Sequence, residues 1–90
     1  VMPFEEEEEI LRRANGTPYG LVAGVWTKDM KRAFRMAQGL KAGTVWLNCY
    51  HFVDAAAPWG GYKQSGYGRE KGPYAIDLYT QIKSVWVDLN

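Results

Sequence analysis

The sequence has almost no cysteine or histidine: each occurs once, as Cys49 and His51. A single thiol forms neither an internal disulfide nor a Cys-x-x-Cys pair, and one histidine leaves most zinc arrangements short of ligands. The composition therefore predicts no metal site and favours a reducing compartment. We expect an intracellular protein, in the cytoplasm rather than in a mitochondrion or plastid, although the sequence leaves both organelles open.

The sequence also lacks an excess of charge of one sign and a long apolar run. Its 11 basic and 10 acidic residues give a net charge of +1, and no run of four Lys or Arg occurs. We therefore expect no nucleic-acid partner. The apolar runs fall far short of the roughly 18 to 20 residues that cross a bilayer, and no leader is visible, so no membrane partner is expected either.

Hydrophobic spacing predicts two helices. Five glutamates at residues 5–9, followed by basic residues, match the dipole of a first helix, and Gly16 is expected to end it in the left-handed conformation. In residues 28–40, apolar side chains recur every three or four positions. This pattern predicts an amphipathic helix with Thr27 as its cap.

Short apolar runs predict the strands of a parallel sheet. Residues 21–26 and 44–50 are apolar enough to be buried on both faces, residues 1–4 are strand-like, and residues 83–89 alternate apolar and polar side chains. Strands and helices in this order predict an α/β fold with a parallel βαβαβ portion. A short helix over residues 73–79 precedes the terminal strand.

A long glycine-rich loop at residues 51–72 is the first candidate for a functional segment, because loops of this length are rarely idle. It contains neither GxxxxGK[ST] nor GxGxxG, so it predicts no phosphate site. Cys49, just before the loop, is expected to be a buried structural thiol rather than a nucleophile. His51 is a candidate for a pocket wall and a poor one for a metal ligand.

Two motifs around this loop are recognisable. Residues 43–50 are Gly-Thr-Val-Trp-Leu-Asn-Cys-Tyr, and residues 58–70 are Pro-Trp-Gly-Gly-Tyr-Lys-Gln-Ser-Gly-Tyr-Gly-Arg-Glu. Together with residues 19–29 and 79–85, they resemble the C-terminal part of NAD(P)-dependent aldehyde dehydrogenases. The resemblance covers essentially the whole chain.

The resemblance implies both a domain organisation and a reaction. Residues 1–79 would be the C-terminal part of the catalytic domain, and residues 80–90 the strand through which the parent enzyme forms a homodimer or tetramer. The parent would oxidise an aldehyde to a carboxylic acid with NAD or NADP. In this family the catalytic cysteine, its glutamate base and the cofactor domain lie upstream, and the chain is expected to start just after a Glu-x-Phe-Gly-Pro segment. The 90 residues alone would therefore hold no catalytic, cofactor-binding or metal residue, would bind no cofactor and would be inactive.

The resemblance also implies that the chain forms part of the aldehyde tunnel. Three positions match places that line the substrate entrance in the family: His51, Val53 and Trp59. Three other residues would support the site. Asn48 matches an asparagine of the family, and Gly60 and Gly61 would allow backbone conformations closed to other residues.

Two of these positions depart from the family pattern. The family usually has Phe where this chain has Trp59, and commonly an aromatic residue where it has the small Val53. Betaine-aldehyde-type members resemble this chain in having Trp there, where an aromatic face can hold a quaternary ammonium group. We favour a plain tunnel wall over an ammonium site.

A non-catalytic function is the alternative. The alternating strand at residues 83–89 would add to the sheet of a neighbouring subunit, and the chain would then be an oligomerisation or interaction module.

Overall fold

The computed structural model describes all 90 residues, which form two helices, four short strands and a 3₁₀ helix. None of the helices has the length and apolar character needed to cross a bilayer. In chain order the elements are α1 (Glu7–Asn15), β1 (Tyr19–Gly20), β2 (Val22–Val25), α2 (Met30–Gly39), β3 (Thr44–Leu47), β4 (Tyr62–Lys63) and the 3₁₀ helix (Pro73–Leu78).

A βαβ unit lies at the centre of the fold. Strands β2 and β3 are parallel, with Val22 opposite Thr44 and Val25 opposite Leu47. Helix α2 makes the crossover between them and packs against both strands, while α1 packs on α2. The mixed α/β class and this pair of parallel strands are as the sequence predicts.

The N-terminal cap of α2 differs from the prediction by two residues. Asp29, not Thr27, is the cap, and its carboxylate accepts a hydrogen bond from the Arg32 backbone N–H at 3.1 Å. The Thr27 hydroxyl instead accepts from the Asp29 N–H at 3.1 Å, which forms a turn before the helix. Thr and Asp are both common N-cap residues. Asp29 has the extended backbone that an N-cap residue adopts directly before the first turn of the helix.

The full βαβαβ arrangement is not formed. The second sheet is antiparallel and pairs β1 with β4, placing Tyr19 opposite Lys63 and Gly20 opposite Tyr62. Residues 1–4 and 83–89, expected as strands, belong to neither sheet. A strand requires a neighbour for its ladder of hydrogen bonds, and no other strand of this chain lies beside them.

The end of α1 also differs from the prediction. Gly16 has a φ of −78°, so it is not left-handed. The helix end is tied instead by Asn15, whose Nδ2 donates to the Gly39 carbonyl at 2.8 Å and whose Oδ1 accepts from the Lys41 N–H at 2.9 Å. These two bonds join the C-terminal ends of α1 and α2. The Lys63 ammonium adds a bond to the Asn15 carbonyl at 2.7 Å.

The hydrophobic core is small and lies between the helices and the parallel strands. Ile10, Val25 and Met36 form its buried centre, with Val45 and Leu47 of β3 packed against it. The prediction that both parallel strands are buried on both faces is wrong: most of their residues are half-buried or exposed. Helices cover only one side of this two-stranded sheet. Residues 79–90 are exposed throughout, and the chain as a whole measures 72 × 25 × 20 Å.

Candidate functional site

Asn48 holds together the carboxyl ends of the two parallel strands. Its Oδ1 accepts from the Thr27 N–H at 2.8 Å, and its Nδ2 donates to the Thr27 carbonyl at 3.0 Å. Its own N–H donates to the Val25 carbonyl at 2.8 Å, which extends the β2–β3 ladder by one bond. Ligands of open α/β sheets bind at this edge, so Asn48 stabilises the loops from which such a site is built.

The chain reverses sharply after β3. Asn48 and His51 both adopt the left-handed backbone, with φ of 56° and 63°, a region in which asparagine and histidine are more common than most residues. This reversal carries Tyr50 and His51 back over Trp46, whose ring centroid lies 4.7 Å from that of Tyr50 and 6.2 Å from that of His51. The sequence predicted His51 as a wall residue but gave no sign of this stacking.

Trp59 completes an aromatic cluster, defined here as Trp46, Tyr50, His51 and Trp59. Its ring centroid is 6.2 Å from that of Trp46. The Trp59 backbone is paired with Glu70, with an N–H···O bond of 2.7 Å in each direction. This pair of bonds closes residues 59–70 of the glycine-rich loop at the half-buried Trp59.

Val53 and Trp59 line a common cavity of about 60 Å³, which His51 does not reach. On another side of Trp59 lies a larger cavity of about 330 Å³, formed by the glycine-rich loop and the 3₁₀ helix. Two of the three predicted wall residues therefore share a cavity. The third, His51, packs against Trp46, which also packs against Trp59. Val53 and His51 are exposed in this chain.

Gly60 and Gly61 are required for a different reason from the one predicted. Neither is in the left-handed region, which in this loop is occupied by Gly66, Gly68 and Gly72 and by three residues with side chains, His51, Lys63 and Lys71. A Cβ on Gly60 would lie 2.5 Å from the Gly68 carbonyl oxygen, and a Cβ on Gly61 would overlap the Ser65 side chain. Space, rather than backbone freedom, therefore excludes a side chain at these two positions.

Arg69 braces the glycine-rich loop from inside, which the sequence did not predict. Its Nη1 donates to the carbonyls of Gly61 at 3.0 Å and Gly68 at 2.7 Å, and its guanidinium carbon lies 5.5 Å from the Tyr62 ring centroid. The Gly-Arg-Glu sequence signals a loop but not which carbonyls the arginine will meet. A loop filled in this way presents no cradle of N–H groups to a phosphate.

No three His, Cys, Asp or Glu side chains lie close enough to hold a metal ion. Cys49 is half-buried rather than buried, because β3 ends at Leu47 and the thiol follows in the turn. It makes no hydrogen bond to a base.

The geometry agrees with the comparisons with known proteins. The sequence model of the aldehyde dehydrogenase family matches residues 1–85. The chain therefore belongs to the aldehyde dehydrogenase family.

Individual relatives are similar over nearly the whole chain but are much longer. DhaS of Bacillus subtilis (strain 168), named as an aldehyde dehydrogenase, is 58% identical over 88 residues, which are 98% of this chain and 18% of that protein. Betaine aldehyde dehydrogenase 2 of Rhizobium meliloti (strain 1021) is 51% identical over 99% of this chain and 18% of its own length. The NAD⁺ complex of aldehyde dehydrogenase from Bacillus cereus superposes with a TM-score of 0.89 at 58% identity, covering 100% of this chain and 18% of that one. This chain thus spans about a fifth of such proteins, and relatives named as mitochondrial and as cytosolic both occur.

Proposed function

We propose that this chain supplies one wall of the aldehyde site in an enzyme that oxidises aldehydes to carboxylic acids with NAD or NADP. The observation that carries the proposal is the aromatic cluster at the carboxyl end of the parallel strands, where Trp59 is half-exposed between two cavities. Family membership supports the reaction. The residues facing the aldehyde would be His51, Val53 and Trp59, and those supporting them Asn48, Gly60 and Gly61.

The catalytic and cofactor groups are assigned to the rest of the parent enzyme. Cys49 lacks a base, and the interior of the glycine-rich loop holds the Arg69 guanidinium rather than free N–H groups. These residues do not fit a dinucleotide, so no step of hydride transfer runs through them. What this chain does is bind the aldehyde on an apolar surface and exclude water from it.

Trp59 is proposed as an apolar wall, and its replacement in the parent enzyme tests this. Trp59→Leu keeps apolar bulk but removes the ring face, so kcat/KM should fall about fivefold for betaine aldehyde and equally for a neutral straight-chain aldehyde. Trp59→Phe, which keeps a ring, is the matched control and should lose less.

Two other results would contradict this assignment in different ways. A loss of about tenfold for betaine aldehyde, with the neutral aldehyde unaffected, would establish an ammonium site instead of an apolar wall. The relative named betaine aldehyde dehydrogenase 2 is the reason to test this alternative. An unchanged kcat/KM for both aldehydes would remove Trp59 from the substrate site.

A second function, subunit association, is favoured by the exposed terminal segment at residues 80–90. Its apolar side chains are almost wholly in water, with Ile82 103%, Trp86 94% and Leu89 93% exposed. Apolar side chains in this number are costly to leave hydrated, and an unpaired alternating segment can add to the edge of another sheet. We therefore propose that this segment pairs with a second copy of the parent enzyme, giving a dimer or tetramer.

The proposed location of the parent enzyme is the cytoplasm. The support is the single unpaired thiol, which a reducing compartment suits. Cell fractionation tests it, and recovery of the enzyme with mitochondria would contradict it.

A further inference from the structure

Trp46, to which the proposed function gives no contact with the aldehyde, packs against His51 and Trp59 of the candidate site. We propose that Trp46 is a positioning residue that sets where the His51 and Trp59 side chains lie relative to each other. The proposal rests on the proposed function, because it concerns the placement of the aldehyde wall. It assigns Trp46 no contact with the substrate.

The position of Trp46 in β3 gives it this role. Val45 and Leu47, its neighbours in the strand, pack against the core beneath the helices. Side chains alternate across a strand, so Trp46 points to the other face, where it is 6% exposed. The buried indole on that face is covered by the residues of the candidate site.

The indole contacts both parts of the wall at once. Its ring centroid lies 6.2 Å from that of His51, with the planes nearly perpendicular at 82°, and 6.2 Å from that of Trp59, with the planes at 37°. These spacings are those of packed aromatic pairs. A shift of the Trp46 ring would therefore move His51 and Trp59 together.

A hydrogen bond fixes the backbone between the wall residues as well. The Trp46 Nε1–H donates to the Phe52 carbonyl at 2.9 Å. Phe52 lies between His51 and Val53, and His51 has the left-handed φ of 63° that side chains rarely adopt. The bond from Trp46 holds this unfavourable turn in place, and no other side chain donates to the Phe52 carbonyl.

The test removes the Nε1–H donor and keeps the ring in the parent enzyme. Trp46 is replaced by 3-benzothienylalanine, in which sulfur stands for the N–H, and by 7-azatryptophan, which retains the N–H as the conservative variant. We expect KM for a neutral aldehyde to rise about fivefold with the sulfur analogue, with kcat within twofold of the wild type. The 7-azatryptophan enzyme should have the wild-type KM.

KM is the decisive quantity because it does not depend on how much of the enzyme is folded. A partly unfolded variant loses apparent kcat but keeps its KM, so reduced folding cannot imitate the expected result. Trp26→Phe is the matched control, since the Trp26 ring contacts Tyr50 at 6.5 Å but stacks on neither His51 nor Trp59. Its KM should be unchanged.

Three results would overturn the proposal: an unchanged KM with the sulfur analogue, an equal rise with 7-azatryptophan, or an equal rise in the Trp26→Phe control. The failure of the proposed function is distinguishable from each. If Trp59→Leu alters kcat/KM but the sulfur analogue leaves KM unchanged, the wall assignment stands and the positioning role alone is wrong. If Trp59→Leu has no effect, the wall assignment itself fails.

Discussion

Asn48 combines two properties at one position, a left-handed backbone and an amide that bonds both polar backbone groups of Thr27. Replacing it separates them. Asn48→Gly keeps the backbone conformation but loses two hydrogen bonds, while Asn48→Ala also places a Cβ at a φ of 56°. We expect destabilisation of about 1 kcal/mol for Gly and about 1 to 2 kcal/mol more for Ala.

The measurement is the denaturation midpoint of the parent enzyme carrying each variant. Gln38→Ala is the matched control, because Gln38 is an exposed amide on α2 whose side chain makes no hydrogen bond. It should leave the midpoint unchanged. Equal midpoints for the Gly and Ala variants would show that the left-handed backbone carries no cost at this position.

At the scale of single residues, the sequence predicted part of the candidate site. Residue type and motif position indicated His51, Val53, Trp59 and Asn48, but whether these residues face a substrate stays a prediction. Trp46 was assigned only to a strand, because its stacking depends on the reversal after β3. Left-handed turns at non-glycine residues leave almost no signal in composition or spacing.

At the scale of elements, one carboxylate links the two helices. Glu7, in the first turn of α1, bonds Arg32 Nε at 3.1 Å and Arg35 Nε at 2.9 Å, with a further bond of 2.6 Å to Arg35 Nη2. The hydrogen bond from Arg35, followed by that from Arg32 and their charges, lowers the pKa of Glu7 from 4.5 to about 2 despite some desolvation. The ionised carboxylate is therefore favoured in the folded chain.

This contact predicts an acid dependence of stability. Because the folded pKa is below the unfolded one, the contribution of Glu7 is complete above pH 4.5 and is lost as the pH falls through about 2. Glu7→Gln should lower the thermal midpoint at pH 7 and lower it much less near pH 2, where about half of the Glu7 carboxyls in the folded chain are protonated. Glu8→Gln is the control, because Glu8 makes no ion pair, and it should change little at any pH. A Glu7→Gln effect as large at pH 2 as at pH 7 would contradict the assignment.

The elements themselves differ in how far local sequence specified them. Helices α1 and α2 and strands β2 and β3 were predicted, because each is specified by the spacing of apolar residues within its own short segment. Strands β1 and β4 were missed. Each has two residues, too few for any periodicity, and they pair across more than forty positions of the chain. The segment at residues 83–89 has the alternation of a strand but no partner within the chain.

At the scale of the whole molecule, the proposed pairing of residues 80–90 with a second copy makes a prediction about the state of assembly. Deleting residues 80–90 from the parent enzyme should reduce its mass in solution by at least half, because the proposed pairing strand is lost. Val85→Ser with Val87→Ser should weaken association, since both lie on one face of the alternating segment. The matched control, Ser84→Ala with Asp88→Ala, changes the other face and should leave the mass unchanged. Light scattering after size exclusion measures it, and an undiminished mass after deletion would contradict the interface.

The bonds that Asn15 makes between the helices also affect how long the molecule lasts. An asparagine followed by glycine is prone to deamidation, because the glycine nitrogen can attack the carbonyl carbon of the side-chain amide and release ammonia. Here both polar atoms of that amide are bonded, to Gly39 and Lys41, and the Gly16 nitrogen donates to the Arg13 carbonyl at 3.2 Å. We therefore expect slow deamidation at this dipeptide. Deamidation would place a carboxylate oxygen opposite the Gly39 carbonyl in place of the Nδ2 donor. The hydrogen bond between the two helices that slows the reaction would then be lost.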